Sequence, residues 1–501
     1  LAVGCHTATG EVLASAEWMP DDGRPFRTGV MMIDADRLST PMTADFLLNS
    51  NIRGGVEQDK RGASVAITTA GSAALTATGF FTGQPTFGIV AAGMAVAAYL
   101  ALSIGANDVA NSLGPAVGAG AIGMTTGLIL VAGMEVLGAV LAGDEVTATL
   151  TEGLVGSTLG QGAATARMML AALLAAGIWI SLATWANAPV STTHSVVGAI
   201  AGAGLATFGM TAVNWPAMAM IATGWMASPI VAGLLAAGML AALRNRVMNR
   251  ADRIGAGRVW LPVLVALTLG MLGAVATVTA HVTGPATALA VGLAGAFAGW
   301  VYARLRIDRL IRDKSGEQLA FKKLLGLPLV VAAMVMGFAH GANDTANIAA
   351  PLTTMLDSLA ADPGPPRRTL VLLVSSIGIA LGIVLFGRRL VHMVGSNITQ
   401  LNPNRALCVS LATATTVLVF SSFGLPVSTT HIAVGGVFGV GFYREWRDRR
   451  LSKSRDPLPV EERRRRHLVR RSHVRTILGA WLVTVPAAAS LAALLVWLSR
   501  L

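Results

Sequence analysis

The chain has 501 residues, 53% of them hydrophobic and only 13% charged, with a formal net charge of +12. A soluble domain of this size would carry about a quarter charged residues, so a soluble globular protein is excluded. Two cysteines in distant regions, Cys5 and Cys408, exclude a disulfide framework.

In chain order, residues 1–62 come first. They hold nine acidic and six basic residues and no sustained apolar period. They read as an N-terminal soluble or disordered tail, without the basic start and apolar core of a secretory signal. A weak span follows at 64–83. Stronger apolar runs cover 88–106, 117–143, 164–186, 217–243, 259–280, 284–302, 324–340, 370–387 and 476–499. A transmembrane helix needs about 20 apolar residues, whereas a barrel shows short alternating segments. The expected fold class is an all-α polytopic membrane protein with about 10–12 transmembrane segments. The 56 glycines suit it, because helices in lipid associate by close backbone approach. GAGAIG at 118–123 has dinucleotide-loop spacing, but no strand precedes it as that site requires.

Two motifs recur. GANDVAN (105–111) and GANDTAN (341–347) agree at six of seven positions, and PVSTTH stands at both 189–194 and 426–431. Asp108 and Asp344 are 236 residues apart, His194 and His431 are 237 apart. One offset for two motifs means two homologous halves, at 63–243 and 324–443. Basic loops and a helix pair at 244–323 separate them, and a basic loop at 444–475 precedes a last transmembrane helix at 476–501. If 64–83 spans, the halves enter from opposite faces, giving an inverted repeat. Residues 444–475 hold 12 Arg and one Lys against five acids. With the basic loops 244–258 and 303–323 they are expected in the cytoplasm, against anionic lipid. No nucleic-acid module accompanies the charge.

Glycine, proline and polar residues in each motif predict helix interruptions that face the protein interior. Ser191, Thr192, Thr193 and Ser428, Thr429, Thr430 make neutral, donor-rich cradles suited to a tetrahedral oxyanion. Asp108 and Asp344 oppose such an anion. At ~4 Å and an effective dielectric near 20 the repulsion is about 4 kcal/mol per charge pair. Either a cation lies with the carboxylates or they are protonated, and both alternatives imply symport. Asn107 and Asn343 can complete a hard oxygen shell for a small cation. Glu135, inside an apolar run, is a further candidate for proton or cation coupling, and aligns with Ile379 in the other half. His194, His431 and His340 are candidates too; His340 aligns with Ile104. Asp, Ser and His without a GxSxG context do not make a hydrolase, so no enzyme activity and no cofactor are expected.

GAND-x-AN with PVSTTH, each present twice, resembles the inorganic phosphate transporter (PiT) family. The likeness spans about residues 88–443 and includes Glu135 in E-x-x-G-A-x-x-x-G, MASPIVAGLL at 226–235, LNPNRA at 401–406 and GLPVSTTH at 424–431. The resemblance implies an inverted-repeat secondary transporter carrying phosphate with Na⁺ or H⁺. It places Asp108, Asn111, Asp344, Asn347 and the Ser/Thr runs at the central site; where the co-ion is Na⁺, Asp108 and Asp344 are its candidate ligands. Where many relatives have a second Glu, this sequence has Ser410. The final helix reads as an addition to the common core. The expected setting is the bacterial cytoplasmic membrane, and a homo-oligomer is compatible with it. A carrier of sulfate or another oxyanion, and a cation channel or exchanger, are the rival readings.

Overall fold

The computed structural model describes residues 3–8, 11–16, 29–33, 85–154, 162–185, 190–280, 284–313, 321–359, 365–393, 402–452 and 471–499. The weak span at 64–83, Pro189 and most of the 444–475 loop lie outside them. The chain divides into two units, Leu1–Gly71 and Ser72–Leu501. In the first, three strands pair antiparallel in the order β1 (Val3–Ala8), β2 (Glu11–Ala16), β3 (Gly29–Ile33). The sequence carries no sustained period there, so nothing in it announces these strands.

The second unit is helical among its described residues. Its helices are α1 (Pro85–Gly118), α2 (Met124–Ala142), the short α3 (Asp144–Ala148), α4 (Ala163–Trp185), α5 (Thr192–Phe208) and α6 (Trp215–Leu243). Then come α7 (Arg253–Thr279), α8 (Pro285–Asp313), α9 (Gly326–Asp344) and α10 (Ala346–Ser358). The last four are α11 (Pro365–Met393), α12 (Pro403–Ser422), α13 (Thr429–Ser452) and α14 (Arg471–Leu498). Nine helices or helix runs among the described residues are long and apolar enough to cross a membrane. Two motif-bearing helices fall outside that group. Helix α5 has 17 residues, and α13 ends in the charged stretch YREWRDRR. GAGAIG occupies the turn between α1 and α2, with no strand beside it, so the dinucleotide reading fails on context.

The two halves interdigitate, and glycine marks the crossings. A Cβ on Gly105 would strike Ile379 O, and one on Gly341 would strike Glu135 O. A Cβ on Gly138 would strike Phe338 O, and one on Gly382 would strike Leu102 O. Thus α1 lies on α11 as α9 lies on α2, with the aligned residues Glu135 and Ile379 at equivalent places. Close backbone approach of this kind is how helices gain contact where lipid offers no hydrophobic drive.

The same reciprocity corrects the place of the last helix. Gly198 of α5 meets Val485 O of α14, and Gly435 of α13 meets Pro229 O of α6. Helices α6 and α14 each carry an internal proline, Pro229 and Pro486. α14 is therefore the counterpart of α6 within the repeat, and not an addition to it. The charged loop before it hides the correspondence in sequence. Helices α7 and α8, between the halves, pack on each other with Gly270 and Gly292 face to face.

Candidate functional site

The expected helix break is absent at the first motif. Residues 105–111 run unbroken through α1. At the second, only Thr345 separates α9 from α10, and its backbone stays helical at φ −60°, ψ −32°. What interrupts each motif is a proline one turn later, Pro115 and Pro351. Proline donates no N–H to the carbonyl four residues back, which frees the carbonyls of Asn111 and Asn347. The motif helices therefore keep their shape and still offer carbonyl oxygens in mid-helix.

The hydroxyl runs sit at helix starts. Ser191 caps α5, its side chain accepting from His194 N–H at 3.1 Å, and Ser428 does the same for His431 N–H at 3.3 Å. Ser and Thr favour this position because the hydroxyl satisfies an orphan donor of the first turn.

Each hydroxyl run reaches the aspartate motif of the opposite half. Thr192 Oγ1 donates to Asp344 Oδ2 at 3.1 Å, and Thr430 Oγ1 to Asp108 Oδ1 at 3.4 Å. Asn111 Nδ2 donates to Thr430 Oγ1 at 3.0 Å, and Asn347 Nδ2 to Thr193 Oγ1 at 3.3 Å. Thr193 itself donates to Val427 O at 3.1 Å, so its hydroxyl proton is committed to backbone. Thr429 is buried beside them. Asn107 and Asn343 each donate to the neighbouring aspartate, at 3.2 and 2.6 Å. Asn343 also joins Val427 and Ser421: its Oδ1 accepts from Val427 N at 3.1 Å and from Ser421 Oγ at 3.3 Å. No sequence signal marked Ser421 or the Val427 peptide.

His340 stands at the centre. Its Nδ1 is 2.6 Å from Glu135 Oε1, while Nε2 lies 3.3 Å from Asp344 Oδ2 and 3.9 Å from Asp108 Oδ2. Asp108, His340 and Asp344 each present one ligand atom within 4.8 Å of the others. All three are at most 1% exposed, and Glu135 is 0% exposed. Asp108 Oδ2, Glu135 Oε2, His340 Nε2 and Asn347 Oδ1 have no hydrogen-bond partner. Buried polar atoms are rarely left so without a ligand to complete them. Three acids and one imidazole, walled by neutral hydroxyls and amides, can hold a small cation at the carboxylates and an oxyanion at the donors.

The other two histidines do not join this cluster. His194 and His431 lie 4.4 Å apart between ring centroids, their planes tilted by 47°, with Trp225 edge-on to His194 at 3.8 Å. Trp225 Nε1 donates to Pro426 O at 3.0 Å, tying α6 to the second PVSTTH.

The sequence profile of the phosphate transporter family matches residues 104–492, which takes in the motif helices and most of α14. A protein of Helicobacter pylori strain J99, named as a phosphate permease, is 38% identical over 361 residues, covering 70% of this chain and 68% of that one. The chloroplastic inorganic phosphate transporter 2-1 of Arabidopsis thaliana is 32% identical over 440 residues, covering 80% and 70%. A solved structure, that of a protein named the sodium-dependent phosphate transporter, superposes with a TM-score of 0.73 at 30% identity, covering 82% of this chain and 99% of that one. The family is one of membrane transporters, not enzymes. With its paired motifs, helical membrane architecture and these relatives together, the chain belongs to the phosphate transporter family.

Proposed function

We propose that the protein moves inorganic phosphate by symport with a cation, with Na⁺ as the coupling ion, held at Asp108 and Asp344. The observation that carries this reading is the buried cluster of Asp108, His340 and Asp344, with Asp108 Oδ2 and His340 Nε2 left without a hydrogen-bond partner, beside neutral donors. Two carboxylates no more than 4.8 Å apart repel each other by about 3 kcal/mol at an effective dielectric near 20. A phosphate brought to the neighbouring donors adds further repulsion of that order. A cation between the carboxylates relieves both. The solved relative is named for its dependence on sodium, which favours Na⁺ over H⁺.

The coupling has a local device. Thr192 and Thr430 donate to the very carboxylates that would take the cation. A cation at Asp108 and Asp344 competes for those oxygens and frees the two hydroxyls to turn toward an anion. Asn111 and Asn347 then supply amide donors from the same helices. Glu135 holds His340 in place through its 2.6 Å contact. Binding of the cation thereby prepares the donors for phosphate. The basic loops 244–258, 303–323 and 444–475 orient the chain with those loops in the cytoplasm, in a bacterial inner membrane.

The test is uptake of radiolabelled phosphate into proteoliposomes under separately imposed sodium and pH gradients. Sodium-driven uptake is expected, with sodium dependence lost in Asp108→Asn and Asp344→Asn. Uptake indifferent to both gradients would defeat symport. Uptake driven by pH alone would replace Na⁺ with H⁺, and competition by sulfate would test the choice of oxyanion.

A further inference from the structure

The charged end of α13 carries a second set of oxyanion donors, far from the central site. Arg444 and Asp448 lie one turn apart, with Nε 3.7 Å from Oδ2, and Arg447 Nη2 donates to Asp448 Oδ1 at 3.1 Å. Arg405, in the first turn of α12, is within electrostatic reach of both Arg444 and Asp448. Two guanidinium groups thus share one carboxylate, with Arg405 close enough to feel their charge, and positive charge is left over. Arg447 Nε and Nη1 are sealed from solvent and bond nothing, although the side chain as a whole keeps 20% exposure. A buried donor without a partner costs about 1–3 kcal/mol, more when charged. The planar fork of arginine matches two oxygens of a phosphate, which a point charge does not.

Helix α13 starts at Thr429, within the central site. Arg444 lies 15 residues along it, about 22 Å away at 1.5 Å per residue. One anion cannot occupy both places. The chemistry differs too. The central motifs contain no Lys or Arg and need a cation to accept an anion. The α12–α13 cluster carries its own counter-charge.

We propose that Arg405, Arg444 and Arg447 form a second oxyanion site, of the phosphate class, at the α12–α13 end of the molecule. Inorganic phosphate from the aqueous phase and the phosphodiester of an anionic lipid offer the same oxygens, and binding at this site needs no sodium.

The experiment uses the full chain in nanodiscs with sodium replaced by choline. In neutral phosphatidylcholine discs, equilibrium binding of radiolabelled inorganic phosphate reads the free anion. In discs containing phosphatidylglycerol, native mass spectrometry reads retained lipid. A saturable, sodium-independent ligand is expected in one arm. Its affinity should fall at least about tenfold in Arg447→Gln, the loss of a charge-assisted bidentate contact. Arg447→Lys, which keeps the charge and loses the fork, should fall between. If Arg447→Gln is not monodisperse, Arg405→Gln on the other helix gives the same reading. Phosphate binding that changes with Arg447 identifies the free anion; lipid retention that changes with it identifies the headgroup. Equal binding of both ligands by wild type and variants overturns the site, as does their absence from wild type.

Discussion

The Glu135–His340 pair invites a direct perturbation, because the equivalent crossing of α1 and α11 shows what replaces it. Ile379 and Ile104 stand at the equivalent positions and are both fully buried. Changing Glu135→Ile alone leaves His340 Nδ1 without its 2.6 Å partner in a fully buried place. Changing His340→Ile alone strands the carboxylate. Removing one partner of a buried polar pair costs about 3–5 kcal/mol, whereas replacing both with apolar groups of similar volume is neutral or stabilising by about 1–4 kcal/mol. The double variant should therefore unfold near the wild-type midpoint, and both single variants well below it. The coupling read from this double-mutant cycle should be at least about 3 kcal/mol. The assay is unfolding in one detergent–lipid micelle for all four proteins, followed by phosphate uptake. Uptake by the stable double variant should fall by about tenfold or more, since one hydrogen bond to a charged group is worth about 1.5–3 kcal/mol. A double variant as unstable as the two singles combined would refute the pairing. Wild-type uptake by a stable double variant would reduce the pair to packing.

Other expectations concern the crossings between halves. Thr192→Val and Thr430→Val each remove one hydroxyl that bonds a carboxylate of the opposite half; half-saturating phosphate should rise by about 5- to 150-fold, the range of a lost buried partner at 1–3 kcal/mol. Gly341→Ala drives a methyl group into Glu135 O and Gly105→Ala drives one into Ile379 O, so each should lose about 1–3 kcal/mol of stability, read by thermal unfolding.

Duplication was legible because it is a property of offsets. Two motifs at 236 and 237 residues need no coordinates to be seen as halves. The alignment that set Glu135 against Ile379 has its structural counterpart in Gly341 and Gly105, which touch those two backbones. What the sequence withheld is tertiary. Nothing in PVSTTH says that Thr192 bonds the aspartate of the other half, or that Thr193 spends its proton on Val427 O. Glycine and proline around GAND suggested a broken helix. In α1 the helix survives, since one missing N–H at Pro115 frees a carbonyl without ending the turn. Helix α14 escaped because its kinship with α6 lies in Gly198 and Gly435 contacts and in one internal proline, not in a shared motif.

The cross-half bonding has a consequence for transport itself. Asn111–Thr430 and Asn347–Thr193 join the halves through equivalent pairs, and Thr192–Asp344 and Thr430–Asp108 cross between them as well, so neither half holds a complete site alone. A displacement of α5 and α13 against α1 and α9 breaks or remakes these contacts together. The groups that the proposed symport assigns to the cargo are then the groups that hold the halves in register, and under that proposal a cation at the carboxylates would loosen the interface. Each half gives one member of the Glu135–His340 pair, at the α2–α9 crossing, while the equivalent α1–α11 crossing has apolar Ile379 and Ile104 in their place. A carrier built from two like halves thereby acquires one polar face and one apolar face at its centre. Outward and inward states need not then be equal in energy.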